Sequence, residues 1–221
     1  MASDSPTRPS LRDGHPPHEG EGGYMSAMSL EALLPEIRAC RACATELPHE
    51  PRPVVWVGAQ TRILVAGHAP GRRVHESGLP FDDPSGDRLR RWMGVDRETF
   101  YGNPAIGVAG MAFCYPGTDP NGGDYPPMPR CAVLWRQRLL AELPNVELTL
   151  LVGSHAQAWT LGKAAKRSVT ETVRAWRDYP PNLLPMPHPS WRNTGWLKRN
   201  PWFDEEVTPY LRDRVARIIG P

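Results

Sequence analysis

The sequence lacks any long hydrophobic run, and its opening residues contain no apolar segment. No stretch of about 18 apolar residues, the length that crosses a membrane, is present. The start, MASDSPTRPS, does not have the apolar core of a secretory signal. Neither sign of charge is in large excess, since 26 Lys and Arg against 24 Asp and Glu leave a formal net charge of +2. We therefore expect a protein without a membrane partner, whose charge excludes neither a nucleic acid nor a small molecule as ligand.

Several common catalytic and phosphate-binding motifs are also missing. No glycine-rich segment continues into the G-K-[ST] of a P-loop, and the G-x-G-x-x-G spacing of a dinucleotide site does not occur. No serine nucleophile elbow is present, which argues against a zinc-stabilised α/β hydrolase. The chain instead has 40% hydrophobic residues, enough for a folded core, together with 26 prolines and 8 tryptophans.

Residues 1–24 differ from the rest of the chain in composition. They are rich in proline and glycine, and they carry more acidic than basic side chains. Such a segment buries too little apolar surface to offset the entropy of ordering it. We therefore predict a disordered tail over residues 1–24 that does not bind DNA, followed by one domain over residues 25–221.

Short apolar runs alternate with helical patterns through residues 25–221. Ser29 and Ser85 are expected to cap two of the helices. The predicted strands occupy residues 62–66, 105–113, 147–152 and 183–187. This alternation predicts a three-layer α/β/α sandwich around a central, mostly parallel four-stranded sheet.

Two segments that follow the first predicted strand have the composition of a ligand site. In an open parallel sheet, ligands bind beyond the carboxyl ends of the strands. Residues 67–71 (GHAPG) form a tight turn whose amides can approach a ligand closely, although such turns are also common without a ligand. In residues 77–86 (SGLPFDDPSG), Phe81 lies beside Asp82 and Asp83. A ring and a carboxylate suit a flat polar ligand, while the alternative is a core phenylalanine with an acid at a helix start.

A third segment follows the last predicted strand. In residues 187–193 (PHPSWRN), His188 is fixed between two prolines, which suits a catalytic or binding group because its orientation is set in advance. Trp191 and Arg192 follow, with further basic residues after them. An aromatic and basic patch of this kind is typical of a surface that binds nucleic acid.

The four cysteines form two pairs. Cys40 and Cys43 make a C-x-x-C, whereas Cys114 and Cys131 are separated by a longer interval. Four thiolates suit either Zn²⁺ or a [4Fe–4S] cluster. A zinc ribbon usually has two C-x-x-C pairs, so the wide second spacing favours the cluster. Unrelated buried thiols are the remaining interpretation.

Together, these segments resemble the uracil-DNA glycosylase superfamily, most closely its iron–sulfur branch, over roughly residues 30–219. GHAPG is similar to the family's first motif, and GLPF followed by SG resembles its G-R-P-F…G stretch. PHPS is similar to its H-P-S motif, after which a loop inserts into DNA. The order and spacing of the four cysteines also resemble those of the family's cluster ligands.

The resemblance implies a monofunctional glycosylase of DNA base-excision repair that flips and removes uracil or another deaminated base. It implies catalytic roles for His188, Asp83 and His68, with the histidine at 188 donating a hydrogen bond to the departing base. The residues that would contact the base are Gly67, Ala69, Pro70, Gly71 and Phe81. Those that would contact DNA are Ser190, Trp191, Arg192 and Asn193. A [4Fe–4S] cluster, or alternatively zinc, would be bound by Cys40, Cys43, Cys114 and Cys131. We expect a monomer in a prokaryotic cytoplasm, associated with the nucleoid, whose partner is DNA containing a damaged or deaminated base.

The sequence also departs from the family pattern. His68 and Ala69 stand where branches of the family carry a carboxylate, and Asp83 is one residue out of register with the acid of another branch. No Asn occurs within residues 110–113, where the family reads the uracil edge. The Arg-Arg-Val-His of residues 72–75 is similar to a covalent-trapping loop that lies later in the chain in its own branch, so we treat this likeness as accidental. These departures predict weak or relaxed base specificity. The alternative is a DNA-binding, lesion-sensing protein with little or no glycosylase activity.

Overall fold

The structure is a computed structural model that describes residues 29–220. The tail predicted over residues 1–24 lies outside the described residues. Between residues 29 and 220, no helix is both long enough and apolar enough to cross a membrane.

A four-stranded sheet forms the centre of the protein. Its strands are β1 (Ile63–Ala66), β2 (Ile106–Val108), β3 (Leu148–Val152) and β4 (Leu183–Met186). The spatial order is β2-β1-β3-β4 and every neighbouring pair is parallel. The chain therefore moves outward in one direction from β1 to β2 and in the other from β3 to β4. This reversal places a topological switch point between β1 and β3, where sheets of this kind bind ligands.

Helices connect the strands and cover the sheet. They are α1 (Leu30–Arg38), α2 (Arg72–Ser77), α3 (Pro84–Met93), α4 (Arg97–Gly102), α5 (Pro129–Cys131), α6 (Gln137–Ala141), α7 (Ser154–Leu161), α8 (Val169–Arg174), α9 (Thr194–Arg199) and α10 (Thr208–Ile219). A π-helical turn, Ala132–Arg136, joins α5 to α6, and a second one, Phe203–Val207, leads into α10.

Alternate side chains of β1 enter separate cores on the two faces of the sheet. Ile63 and Val65 pack into a core with residues of α3, α4, α8 and α10. Leu64 packs with α1 and α6, and Ala66 packs with α7. Because successive strand residues point to opposite faces, this division builds helices onto both sides of the sheet. The predicted three-layer α/β/α fold with a four-stranded sheet is confirmed.

One predicted strand is much shorter in the structure. The apolar run 105–113 was expected to be extended throughout, but only Ile106–Val108 is a strand. The following residues leave the sheet, and the N–H of Met111 donates to the carbonyls of Gly67 and His68 at 3.0 and 2.8 Å. An apolar run predicts burial, and this loop is buried, but burial alone does not make a strand.

The two predicted helix caps also differ from the structure. Ser29 occupies the N-cap position of α1, but its side chain makes no capping hydrogen bond. Ser85 lies inside α3 rather than before it, so the prediction that it caps the helix is wrong. The cap is Asp83, whose carboxylate accepts a hydrogen bond from the N–H of Gly86 at 2.8 Å. With Asp83 as the cap and Pro84 at the first helical position, α3 starts two residues earlier than predicted.

Candidate active site

A cleft of about 430 Å³ opens beyond the carboxyl ends of the strands. It is lined by the loop after β1, the segment before α3, the end of the loop after β2, a turn around residue 123, and the loop after β4. The lining residues are Val54, Gly67, His68, Ala69, Pro70, Gly71, Arg73, Val74, Pro80, Phe81, Asp83, Pro84, Ser85, Val108, Gly110, Thr118, Gly123, Asp124, His188, Ser190, Trp191 and Arg192. The structure thus brings together residues from all three segments that the sequence indicated as a ligand site, 67–71, 77–86 and 187–193.

Phe81 forms one wall of the cleft and has an unusual backbone. Its φ is +57°, in the left-handed region that a bulky residue rarely adopts. Gly86 permits this turn, because a Cβ there would lie 1.8 Å from the carbonyl oxygen of Phe81. The buried Arg90 also holds the turn by donating from Nη1 to that same oxygen at 3.2 Å. Backbone strain that is maintained in this way at a cleft wall indicates that the position of the Phe81 ring is important for what the cleft binds.

The two carboxylates beside Phe81 have different surroundings. Asp82 pairs with Arg97 at 2.9 Å, and this hydrogen bond holds the pKa of Asp82 below its usual range. Asp83 lines the cleft, although its side chain also caps α3. Asp83 therefore has the role of an acid at a helix start, which the sequence offered as the alternative. Its position in the cleft is also compatible with the predicted catalytic role, which stays a prediction.

His188 lies at the carboxyl end of β4 with its ring in the cleft. The backbone N–H of Ser190 donates to His188 Nδ1 at 3.2 Å, and the Asn193 side chain donates to the His188 carbonyl at 2.7 Å. Burial lowers the pKa of His188, although the nearby Asp83 carboxylate opposes that shift. A neutral ring that accepts at Nδ1 carries its proton on Nε2. His188 is therefore arranged as a hydrogen-bond donor through Nε2.

His68 contributes a second neutral imidazole. Burial, reinforced by His155 and His188, lowers the pKa of His68 to about 4. Its ring packs edge-on against His155, with 4.9 Å between the ring centres. His155 follows β3, so the two rings meet at the switch point between β1 and β3. At neutral pH, His68 can offer a hydrogen bond to the cleft without adding positive charge.

The loop after β4 forms the rim of the cleft. Trp191 is 70% exposed, and Ser190 and Arg192 line the cleft beside it. Arg88 fixes the loop by donating to the carbonyl of Ser190 at 2.8 Å. Of the four residues predicted to contact DNA, Asn193 is the one outside the cleft lining, because its amide is engaged with the loop itself.

Two further cleft residues were not predicted from the sequence. Asp124 and Thr118 face the cleft from the turn between Cys114 and Cys131. The backbone pairs Thr118 with Asp124, and Arg192 packs against Gly123, where an added Cβ would lie 2.6 Å from its guanidinium. No apolar run or strand end marks this turn in the sequence.

Between residues 29 and 220, no Asn or Gln side chain lines the cleft. Asn103, Asn121 and Asn193 are not part of the lining. Asn103 accepts a hydrogen bond from the N–H of Ala105 at 2.9 Å, and Asn193 is engaged as described above. The described lining therefore offers no side-chain amide to a ligand in the cleft.

The four cysteines line one separate pocket next to α1 and α5. All four are free thiols, and the rest of the lining is largely apolar. Burial raises the pKa of Cys131 to about 12 and that of Cys114 to about 11. Two sulfurs receive N–H donors at 3.3 Å, Cys131 from the backbone of Phe113 and Cys40 from the Trp135 ring.

The cysteine pocket has the composition of a cluster site. Its thiols, apolar walls and N–H donors to sulfur are the features that tune iron–sulfur centres. In the described part of the chain, no group of three or more His, Cys, Asp or Glu side chains is arranged to hold a metal ion. The residue types fit a thiolate-bound group, and the occupant remains a prediction.

The fold and the cleft define a class of protein. It is a doubly wound α/β protein whose site lies at the switch point of the sheet and combines an aromatic wall, two neutral histidines and carboxylates. The sequence profile of the family described as the uracil DNA glycosylase superfamily matches residues 55–212. The chain belongs to the uracil DNA glycosylase superfamily, whose members are typically DNA glycosylases and act on DNA. The matched residues include Cys114 and Cys131 but not Cys40 or Cys43.

Proposed function

We propose that this protein is a monofunctional DNA glycosylase that removes uracil and other deaminated bases by hydrolysis of the N-glycosidic bond. The observation that carries the proposal is the arrangement of His188. Its Nδ1 accepts from Ser190, so its proton is on Nε2, and its ring lies in the same cleft as Phe81. A donor fixed in a cleft with an aromatic wall suits a flat base that departs as an anion.

The base must leave the duplex before it can enter the cleft. Flipping costs a few kcal/mol, because the base loses its stacking and pairing. Phe81 supplies a new stacking partner, and the strained turn at Gly86 fixes the position of its ring. The exposed Trp191 and the neighbouring Arg192 are placed to fill the gap in the duplex and to bind phosphate.

Bond cleavage leaves an oxocarbenium sugar, and the electron pair of the C1′–N bond departs with the base. His188 Nε2–H donates to the oxygen on which negative charge develops, and this electrostatic contribution is usually the largest one. Asp83 stabilises the cationic sugar or positions the water that adds to C1′. His68 remains neutral because its pKa is about 4, so it can donate a further hydrogen bond without strongly attracting the departing anion.

We propose further that Cys40, Cys43, Cys114 and Cys131 bind a [4Fe–4S] cluster, which places the protein in the iron–sulfur branch of the superfamily. The support is that the four thiols share one pocket and that two of the sulfurs receive N–H donors. The cluster would be structural. It would tie α1 to the segment between β2 and α5 and so fix the turn that carries Asp124.

We predict slow removal of uracil together with acceptance of deaminated purines, because no amide among the described lining residues can both donate to O4 and accept from N3–H. Single- and double-stranded oligonucleotides bearing uracil, hypoxanthine, xanthine or cytosine are incubated with the protein, and abasic sites are counted. Comparable rates on uracil and hypoxanthine support the proposal. Fast turnover on uracil with no activity on either purine contradicts the relaxed specificity. DNA binding without excision of any base favours the lesion-sensing alternative.

Removing the aromatic wall should weaken binding of the flipped base. Phe81→Ala loses a stacking contact of roughly 1–3 kcal/mol, which corresponds to about 5- to 150-fold weaker binding. The measurement is the dissociation constant for DNA carrying a non-cleavable 2′-fluorinated deoxyuridine. Phe81→Tyr keeps the ring and serves as the control, with affinity near that of the wild type. Equal affinities for the Ala and Tyr variants would show that the ring does not stack on the base.

A further inference from the structure

Tyr101 lies on α4, next to the segment that carries Phe81. Its hydroxyl donates to the carbonyl oxygen of Pro80 at 2.9 Å. Pro80 is buried and lines the cleft, whereas no residue of α4 is among the described lining residues. Burial raises the pKa of Tyr101, so its hydroxyl stays protonated at neutral pH and remains a donor. The tyrosine therefore contacts the backbone beside the aromatic wall without entering the cleft.

Three successive residues of this segment are anchored by side chains from α3 and α4. Arg90 of α3 donates from Nη1 to the Phe81 carbonyl at 3.2 Å, and Arg97 of α4 pairs with Asp82 at 2.9 Å. The Tyr101 hydroxyl provides the third anchor, on the residue before Phe81. A strained backbone, such as the φ of +57° at Phe81, persists only where the surrounding structure over-determines it. The three anchors together supply that constraint.

The Tyr101 ring also connects the other two anchors. The guanidinium groups of Arg90 and Arg97 lie over this ring, 5.7 and 5.0 Å from its centre. Phe100, which is 1% exposed, packs edge-on against the same ring with 5.1 Å between the ring centres. Cations are attracted to the face of an aromatic ring, and the attraction is stronger where water is excluded. Tyr101 therefore links all three anchors to the hydrophobic core.

We infer that Tyr101 is a positioning residue that holds the Phe81 ring in the orientation in which a flipped base stacks on it. The inference rests on the proposed function, and it adds a residue outside the cleft on which stacking depends. Without the hydroxyl, the buried carbonyl of Pro80 loses its donor, and the strained turn can relax toward other conformations. Only molecules with the ring in place then bind a base, so the apparent affinity falls with their fraction. Tyr101 itself does not touch the base.

The first experiment removes only the hydroxyl. Tyr101→Phe keeps the ring and its contacts with the two arginines, so we expect the variant to fold. Binding of the holoprotein is measured with two non-cleavable duplexes that carry, at the same position, 2′-fluorinated deoxyuridine or a tetrahydrofuran abasic analogue. We expect about 2- to 10-fold weaker binding of the uracil duplex, the usual contribution of one hydrogen bond, and unchanged binding of the abasic duplex. Equal weakening for both duplexes, or unchanged binding of the uracil duplex, would overturn the inference.

The matched control is Tyr179→Phe. Tyr179 also donates its hydroxyl to a backbone carbonyl, that of Ala164 at 3.2 Å, but it lies outside the cleft lining. We expect this variant to bind both duplexes like the wild type, and melting temperatures report the stability that each variant loses. A selective loss of uracil binding in Tyr179→Phe as well would contradict the inference, because the effect would then not depend on contact with the segment that carries Phe81.

The second experiment asks whether Tyr101 acts through the Phe81 ring. Affinity for the uracil duplex is compared among the wild type, Tyr101→Phe, Phe81→Ala and the double variant. If the hydroxyl only positions the ring, its removal has no further effect once the ring is gone. The double variant should therefore bind within about twofold of Phe81→Ala. Losses that multiply in the double variant would contradict the positioning role, because independent effects add in free energy.

These outcomes separate this inference from the proposed function, because both experiments use DNA that is not cleaved. Excision of uracil by the wild type, together with equal binding by the wild type and Tyr101→Phe, means that the glycosylase proposal stands and the positioning role fails. A selective loss of uracil binding in a protein that excises nothing means that Tyr101 positions the ring while the catalytic proposal fails.

Discussion

We expect His188→Ala to lower the single-turnover rate of base excision by about 10²–10³-fold while affinity for DNA changes little. This is the usual cost of removing one well-placed donor to a developing oxyanion. The ring is held from two directions, by the Ser190 N–H on Nδ1 and by the Asn193 amide on the backbone carbonyl. The substitution therefore removes a donor whose orientation is already fixed, and it leaves the aromatic wall at Phe81 in place.

The control for this variant is His49→Ala. His49 stacks on Tyr115 outside the cleft, so its loss should leave the excision rate near that of the wild type. Thermal melts of both variants report any loss of folded protein. An excision rate for His188→Ala within a factor of about two of the wild type would remove the catalytic role assigned to this side chain.

On the proposal that the thiols bind a cluster, we expect replacement of any one of Cys40, Cys43, Cys114 or Cys131 with Ala to release iron and to destabilise the fold. The wild-type protein is expected to be brown, with broad absorption in the blue and about four iron atoms per chain. Because binding of a thiolate-held group contributes directly to folding, each variant should lose on the order of several kcal/mol of stability. Iron analysis, the visible spectrum and the melting temperature measure the three effects.

The matched control is Met128→Leu, which changes the lining of the same pocket without removing a thiol. It should retain iron and colour, because the two side chains have similar volume and polarity. A colourless wild-type protein that contains one zinc ion would show that the four thiols bind zinc and not a cluster. A wild-type protein with neither metal would show that the thiols are ordinary buried cysteines.

The general plan of the fold could be predicted from sequence because it depends on local patterns of apolar and turn-forming residues. The strands predicted at 62–66, 147–152 and 183–187 match the structure to within one residue at each end. Such short, fully buried runs bounded by turn residues are a strong signal for a parallel sheet. The run 105–113 misled the prediction, because a buried loop next to Gly110 has the same apolar composition as a buried strand.

The candidate site could be predicted only in part. The segments around Gly67, Phe81 and His188 meet because they follow strands of one parallel sheet, and strand ends can be recognised in a sequence. The left-handed backbone of Phe81 and the hydrogen bond from Tyr101 to Pro80 depend on contacts between distant elements, which no local pattern encodes. Asp124 was missed for the same reason, since its turn is placed by tertiary packing.

Identification of both products of a single-turnover reaction tests the central claim most directly. A duplex containing one uracil is incubated with an excess of the holoprotein, and mass spectrometry follows the free base and the DNA strand together. The account predicts one free uracil for each strand that becomes abasic, with that strand otherwise intact. A strand that stays at its original mass while bound to the protein would contradict the account, as would a strand cut at the lesion.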